Sequence, residues 1–308
     1  MNDERSTPDD RLGMTGYRGR LAPSPTGRLH LGHARTFWIA QSRAREQGGV
    51  LILRNDDLDE QRCRREFVDG MFEDLHWFGL EWSEGPDCGG PFGPYNQSER
   101  RSFYVDSFER LLEAGAIYPC RCSRKDVLQA LSAPHEGEEE PVYPGTCRPC
   151  GLENPIAICD SMIPGRERSR KGLAEANGGR IHWRFRTPDG EAVVFDDGGF
   201  GPQSFVVGRD FGDFVVWRND DLPAYHLAVA VDDEAMGVTE VVRGKDLLTS
   251  TARQLLVYRA LGIGPPDYFH CPLVTDENGV RLAKRHDALS LKALRASESN
   301  PSELRSER

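Results

Sequence analysis

Apolar residues follow two rhythms along this chain. "YRGRLA" (residues 17–22) and "GVLILRNDD" (residues 49–57) are short strand-like runs, the second closing on polar residues. Between them, "LGHARTFWIAQSRAREQ" spaces apolar side chains three and four apart, which predicts an amphipathic helix beginning near Gly32. Strand, turn, helix, strand is a βαβ unit, whose two strands run parallel. Ligands of such sheets bind beyond the carboxyl ends of the strands. "SPTG" (residues 24–27) and the acidic cluster Asp56, Asp57 and Asp59 are therefore expected around one crevice.

Helical spacing recurs from Glu60 to Phe78 and from Glu99 to Ala114. A cysteine-bearing segment follows, broken by the acidic loop "SAPHEGEEEP", and then a β-rich stretch from "RIHWRFRTPDGEAVVFDD" to "GDFVVWRND". Helix and strand patterns then alternate again through "LPAYHLAVAVDDEAMG", "VTEVVRG", "LLTSTARQLLVYRALG" and "YFHCPLV". The expected organisation is one α/β nucleotide-binding fold with a parallel sheet, split by an insertion. Residues 1–16 read as a disordered tail and 17–119 as the first half of the fold. Residues 120–217 read as the insertion, 218–274 as the second half, and 275–308 as a loop with a short C-terminal tail.

Composition narrows this picture only slightly. With 308 residues, 38% hydrophobic and 29% charged, the chain can bury a sizeable core. No apolar run approaches the roughly 18–20 residues needed to cross a membrane. The first sixteen residues lack the apolar centre of a signal peptide, so a cytoplasmic location is expected. A net charge of −10 argues against nonspecific wrapping of nucleic acid, yet leaves room for a tRNA partner held by local basic patches.

"RLAPSPTGRLHLGHA" (residues 20–34) carries the first chemistry. Pro23 and Pro25 stiffen the turn after the first strand, and Gly27 lets the backbone bend there. The helix that follows aims its free N–H groups and partial positive charge at the crevice, which favours phosphate. His30 and His33, three apart, share one face of its first turn and can both donate to phosphate oxygens.

On these residues the chain resembles the class I aminoacyl-tRNA synthetases. "HLGH" is similar to their HIGH signature, and the whole opening stretch is similar to the glutamate-specific branch. The likeness continues through "LILRNDDLDEQR", "GLEWSEGPDCGGPFGPYNQSER", "IYPCRCSRKD", "DLPAYHLAVAVDDEAMGVTEVVRGKDLLTSTARQ" and "RLAKRHDALS", which together cover most of Tyr17 to Ala293. It implies a Rossmann-type catalytic core that activates L-glutamate with ATP and Mg²⁺, releasing pyrophosphate. His30, Gly32 and His33 would serve ATP. Arg20, Leu21, Ala22, Pro23, Ser24, Asp56, Tyr225 and Arg243 would form the glutamate site. "RLAKR" resembles the KMSKS motif, whose second lysine, which reaches ATP phosphates, is Lys284 here. The chain departs from the family at Asp56, where glutamate is usual, at Ala283, where serine is usual, and at Arg281, where lysine is usual.

Of eight cysteines, four cluster between Cys120 and Cys150, and Cys63, Cys88, Cys159 and Cys271 are expected as packing residues. Cys120-x-Cys122 with Cys147 suggests a zinc site needing a fourth donor. Tyr143 and Cys150 both qualify. The resemblance favours Tyr143, because the short glutamate-activating paralogues use Cys, Cys, Tyr and Cys at this spacing, and implies one structural Zn²⁺ steadying the insertion. Those paralogues, the glutamyl-queuosine tRNA(Asp) synthetases, lack an anticodon-binding domain, and this chain ends at Arg308, soon after Lys284. The implied partner is tRNA(Asp) carrying queuosine, and the expected state is a monomer. Two alternatives stand beside this reading: a truncated glutamyl-tRNA synthetase charging the tRNA 3′ end, and a non-catalytic tRNA-binding paralogue.

Overall fold

The computed structural model describes residues 16–123, 125–127, 142–149, 181–274 and 289–306. Strands β1 (Arg18–Leu21) and β2 (Val50–Leu53) pair in parallel, with Arg18 opposite Val50 and Leu21 opposite Leu53. Helix α1 (Leu31–Glu46) connects them. Its buried Leu31, Ala34, Phe37, Ala40 and Ala44 form one stripe, as the sequence spacing predicts. The return into β2 needs a glycine at 49, because a β-carbon there would lie 2.3 Å from the Tyr17 carbonyl oxygen. Helices α2 (Arg65–Trp77) and α3 (Arg101–Glu113) fall within the two predicted helical stretches.

Strands β3 (Ile117–Cys120), β4 (His182–Phe185) and β7 (Val215–Trp217) form a separate antiparallel sheet in the order β3-β4-β7. Between β4 and β7 the chain makes a hairpin of β5 (Ala192–Asp197) and β6 (Gly201–Val206). It then runs through α4 (Tyr225–Ala235), β8 (Glu240–Gly244), α5 (Leu248–Leu261) and β9 (Asp267–Cys271). β8 and β9 are parallel, and β5 joins β9 in parallel where Asp197 meets Tyr268. The stretch read as an insertion, 120–217, is thus shared between two sheets.

β1 lies beside β8, held by Thr239 N–H to the Arg18 carbonyl (2.9 Å) and Arg20 Nη1 to the Val242 carbonyl (3.1 Å). The spatial order is therefore β2, β1, β8, β9, β5, β6. Two hydrogen-bonded ladders, β1-β2 and β6-β5-β9-β8, thus lie side by side, with every ladder pair parallel except the β5–β6 hairpin.

Two principal cores flank this layer. One centres on Phe108, whose ring lies 5.0 Å from Trp183 and 5.3 Å from Trp217. The other gathers the inner faces of α1, β1, β2 and α2, together with Leu291 from the C-terminal segment. That segment is more structured than the expected tail. Ser290 Oγ caps helix α6 (Leu291–Ala296), Arg295 pairs with Glu73 at 2.8 Å, and α7 (Pro301–Ser306) accepts a hydrogen bond from Arg35 on the Leu304 carbonyl. No described helix is long and apolar enough to cross a membrane. The tail up to residue 15, the acidic loop, Cys150, Cys159, Arg281, Ala283 and Lys284 lie outside the described residues.

Candidate active site

The carboxyl ends of β1, β2, β8 and β9 open into one cavity of about 730 Å³. β1 contributes Arg20 and then Ala22, Pro23 and Ser24, while β2 contributes Arg54 and Asp56. β8 contributes Arg243 and Gly244, and the residues after β9 contribute Pro272 to Val274. His30, Gly32 and His33 line it from the start of α1, and Tyr225 from the start of α4. Most of the expected site residues therefore converge on one wall-to-wall crevice.

Three expectations need correction. Leu21 is fully buried in the core beneath the cavity, and its carbonyl is taken by the Arg54 amide at 2.8 Å. Asp57 turns away from the cavity to accept from the Ser98 amide and hydroxyl, both at 2.9 Å, and Asp59 faces Arg218 at 3.7 Å. All three lie beyond the end of β2 at Leu53, and of the three only Asp56 lines the cavity. Among the scattered cysteines Cys271 is buried as expected, but Cys88 is exposed.

The histidines occupy the helix start as a pair. Their ring centroids are 6.2 Å apart, and His30 Nδ1 is buried with no hydrogen-bond partner. His30 also bridges to Ser290, while Val274 lines the cavity. The described residues on either side of the 275–288 stretch thus both sit at the histidine end of the crevice.

Beneath the cavity floor lies an ion network that the sequence analysis missed. Arg54, fully buried, donates Nε to Asp56 Oδ1 and Nη1 to Asp233 Oδ1, each at 2.6 Å. Arg20 Nε lies 3.4 Å from Asp233, and Asp232 accepts from Arg100, Gln97 and Tyr104. Three guanidiniums oppose three carboxylates, so this layer is close to neutral. Burial pushes the Asp56 carboxyl above the ordinary carboxylate range, and the Arg54 charge pulls it back. The signal was present in "LRNDD", an arginine at the end of an apolar run beside the selected aspartate.

Arg243 is different in kind. It is 4% exposed, and among the described residues its hydrogen-bond partners all lack charge: Thr251 Oγ1 and Gln254 Oε1 at 2.7 Å, Tyr225 Oη and His270 Nε2 at 3.3 Å. Tyr225 accepts from Arg243, which leaves its own proton free for a ligand. A nearly buried guanidinium paired only with uncharged groups is costly unless an anion joins it. The cavity wall is therefore built to receive a carboxylate or phosphate.

A family model for class I tRNA synthetases (E and Q), catalytic domain, matches residues 17–306. The chain belongs to the class I E/Q tRNA synthetases. Among curated relatives of these E/Q synthetases, the Glutamyl-Q tRNA(Asp) synthetase of Nitratidesulfovibrio vulgaris is 50% identical over 90% of this chain and 81% of its own length. The protein of that name from Symbiobacterium thermophilum is 48% identical over 92% of this chain and 82% of its own. Glutamate–tRNA ligase 2 of Nitrosococcus oceani is 39% identical, with 57% of its length covered. Among solved E/Q synthetase structures, the glutamate-tRNA synthetase of Elizabethkingia anophelis shares 28% identity at a TM-score of 0.69. The alignment covers 88% of this chain, which spans about half of that longer protein, 53% of its length.

Apart from the crevice, Cys120, Cys122 and Cys147 bring their sulfurs within 4.8 Å of one another. Tyr143 Oη lies 3.3 Å from Cys120 Sγ and 3.5 Å from Cys122 Sγ, so three thiols and a phenol converge. Soft sulfur donors in this number suit zinc. Burial pushes the Cys122 thiol up to about 11. At Cys147 burial acts the same way, but the Arg121 amide and neighbouring hydrogen bonds outweigh it and hold the thiol below its ordinary value. Cys147 is thus the first of the two to ionise. Arg184 donates to Cys120 Sγ at 3.3 Å and lies 3.9 Å over the Tyr143 ring, placing a cation against a group that gathers negative charge.

Proposed function

We propose that this crevice activates L-glutamate with ATP in the absence of tRNA. The glutamyl group then passes to the queuosine base in the anticodon loop of tRNA(Asp). The observation that carries the first step is Arg243, an almost buried cation with uncharged partners on the cavity wall. The printed names of the two relatives at 50% and 48% identity support the second.

Arg20, Arg243 and the Tyr225 hydroxyl orient the substrate carboxylates, since arginine offers bidentate donors. Asp56, held by Arg54, faces the ammonium. A carboxylate oxygen of glutamate attacks the α-phosphorus of ATP, and the bond to pyrophosphate breaks. His30 and His33, at the positive end of α1, donate to the phosphate oxygens as charge builds there. Lys284 adds its cation as pyrophosphate departs, and Mg²⁺ accompanies ATP as substrate. A hydroxyl of the queuosine ring then attacks the anhydride carbonyl, and AMP leaves. Cys120, Cys122, Tyr143 and Cys147 would hold a structural Zn²⁺ and would through it tie the end of β3 to the segment carrying Tyr143.

ATP–pyrophosphate exchange without tRNA tests this directly, with aspartate and glutamine as controls. Exchange that requires glutamate is the expected result. Exchange appearing only when tRNA is added would instead favour charging of a tRNA 3′ end. No exchange under either condition would leave a binding role and end the proposal.

A further inference from the structure

Arg243 does not hold its own orientation; a relay behind it does. His270 on β9 is fully buried, with Nε2 facing Arg243 Nε at 3.3 Å and Nδ1 facing Asp197 Oδ2 at 2.5 Å. Asp197, at the end of β5, also accepts from the backbone amides of Gly199 (3.0 Å), Phe200 (2.9 Å) and His270 (3.2 Å). The turn of the β5–β6 hairpin presses so closely on β9 that a β-carbon at Gly199 would lie 2.0 Å from the His270 carbonyl oxygen. Backbone as well as side chain therefore locks Asp197 to His270.

Proton bookkeeping gives the relay a direction. The Asp197 carboxylate can only accept and lies 2.5 Å from Nδ1, so the single ring proton of a neutral His270 sits on Nδ1 and Nε2 accepts, from Arg243 Nε at 3.3 Å and from the Thr251 hydroxyl at 3.1 Å. Nδ1–H then donates to Asp197. Were the proton on Nε2, it would turn to Thr251 Oγ1, the Arg243 Nε–H would lose its acceptor across 3.3 Å, and Nδ1 would face the Asp197 carboxylate with no proton between them.

We propose that Asp197 and His270 are positioning residues that fix Arg243 for recognition of the substrate carboxylate. The inference deepens the proposed function and rests on it. Asp197 reaches the site through two intermediaries and touches no substrate. With His270, Thr251 and Gln254 occupying Nε and Nη2, the guanidinium presents Nη1 beside Tyr225 to the cavity. A guanidinium clamped this way offers donors in one direction, so it binds the carboxylate of glutamate and rejects an amide that brings donors of its own. A hairpin remote in sequence from every expected site residue thereby sets specificity.

Asp197→Asn keeps the shape but lets the amide N–H face Nδ1, which drives the ring proton to Nε2. The expected result in the exchange assay is at least a tenfold rise in KM for glutamate. KM for ATP and kcat should stay within about twofold, and selectivity over glutamine should fall. His270→Leu should give the same pattern. His270→Gln, which can place oxygen toward Arg243 and nitrogen toward Asp197, should recover most of the affinity. Equal loss for glutamate and ATP, a fall in kcat alone, or no change in KM would overturn the proposal. Nitrogen-15 NMR of the unsubstituted protein provides a readout free of folding effects. The Nδ1–H tautomer of His270 is expected, and an Nε2–H tautomer would overturn the relay. Absence of glutamate exchange by the unsubstituted protein would sink the proposed activity instead, and the NMR result would still decide the relay.

Discussion

Arg54 grips Asp56 at both oxygens, Nε to Oδ1 at 2.6 Å and Nη2 to Oδ2 at 3.3 Å. One aspartate is thus aimed into the crevice while its two sequence neighbours in the acidic cluster point elsewhere. Each of its oxygens keeps a lone pair for a substrate ammonium.

Asp56→Asn should therefore raise KM for glutamate roughly 10–100-fold, the equivalent of losing one hydrogen bond to a charged group. The amide oxygen can still accept from Arg54 Nε, but the buried network loses one of its three carboxylates, so urea midpoints should fall as well and KM is to be read on the folded variant. A KM for glutamate unchanged in steady-state exchange would remove Asp56 from the ammonium site.

Lys284 is assigned to the departing pyrophosphate. Lys284→Ala should lower kcat for adenylate formation about 10²–10³-fold with KM for glutamate nearly constant, because the interaction forms mainly in the transition state. Equal changes in kcat and glutamate binding would refute that role.

The thiol cluster predicts about one zinc per chain by elemental analysis of protein purified without chelator. Cys122→Ser should lose most of it. Tyr143→Phe should weaken zinc retention against a competing chelator by about 10–100-fold, the range found when a supporting group is lost. Unchanged retention would hand the fourth position to another donor, Cys150 being the first candidate.

Histidine burial gives the fold an acid-sensitive edge. Burial first, then the charges of Arg253 and Arg243, hold His226 well below the ordinary imidazole value, and burial acts likewise on His182 and His270. The folded chain then binds fewer protons than the unfolded one below about pH 6.5. Stability from these groups is complete above that pH and is lost as pH falls. His226→Gln should flatten the decline of Tm between pH 6.5 and 5.5 by roughly 2–4 °C. Parallel Tm curves for the two proteins would contradict this.

The apolar rhythm alone was enough for β1, α1 and β2, because burial on one helix face and in a two-sided parallel strand leaves a local pattern. The same holds for the crevice wall, where Arg20, His30, His33 and Arg243 stand at predicted strand or helix ends and all line the cavity. The KMSKS-like lysine was legible only through resemblance, since a basic loop has no periodicity to read.

What escaped the sequence were relations between distant segments. Arg54 meets Asp232 and Asp233 on α4, and His270 meets Asp197 on a hairpin, each far away along the chain. Periodicity determines which residues leave water, and so the sequence by itself determined the elements and the face each buries. Which buried charge meets which counter-charge depends on how the sheet is ordered and how the insertion folds back. Only the tertiary structure decided that, because a salt link or a relayed hydrogen bond works over about 3 Å of space and carries no memory of separation along the chain.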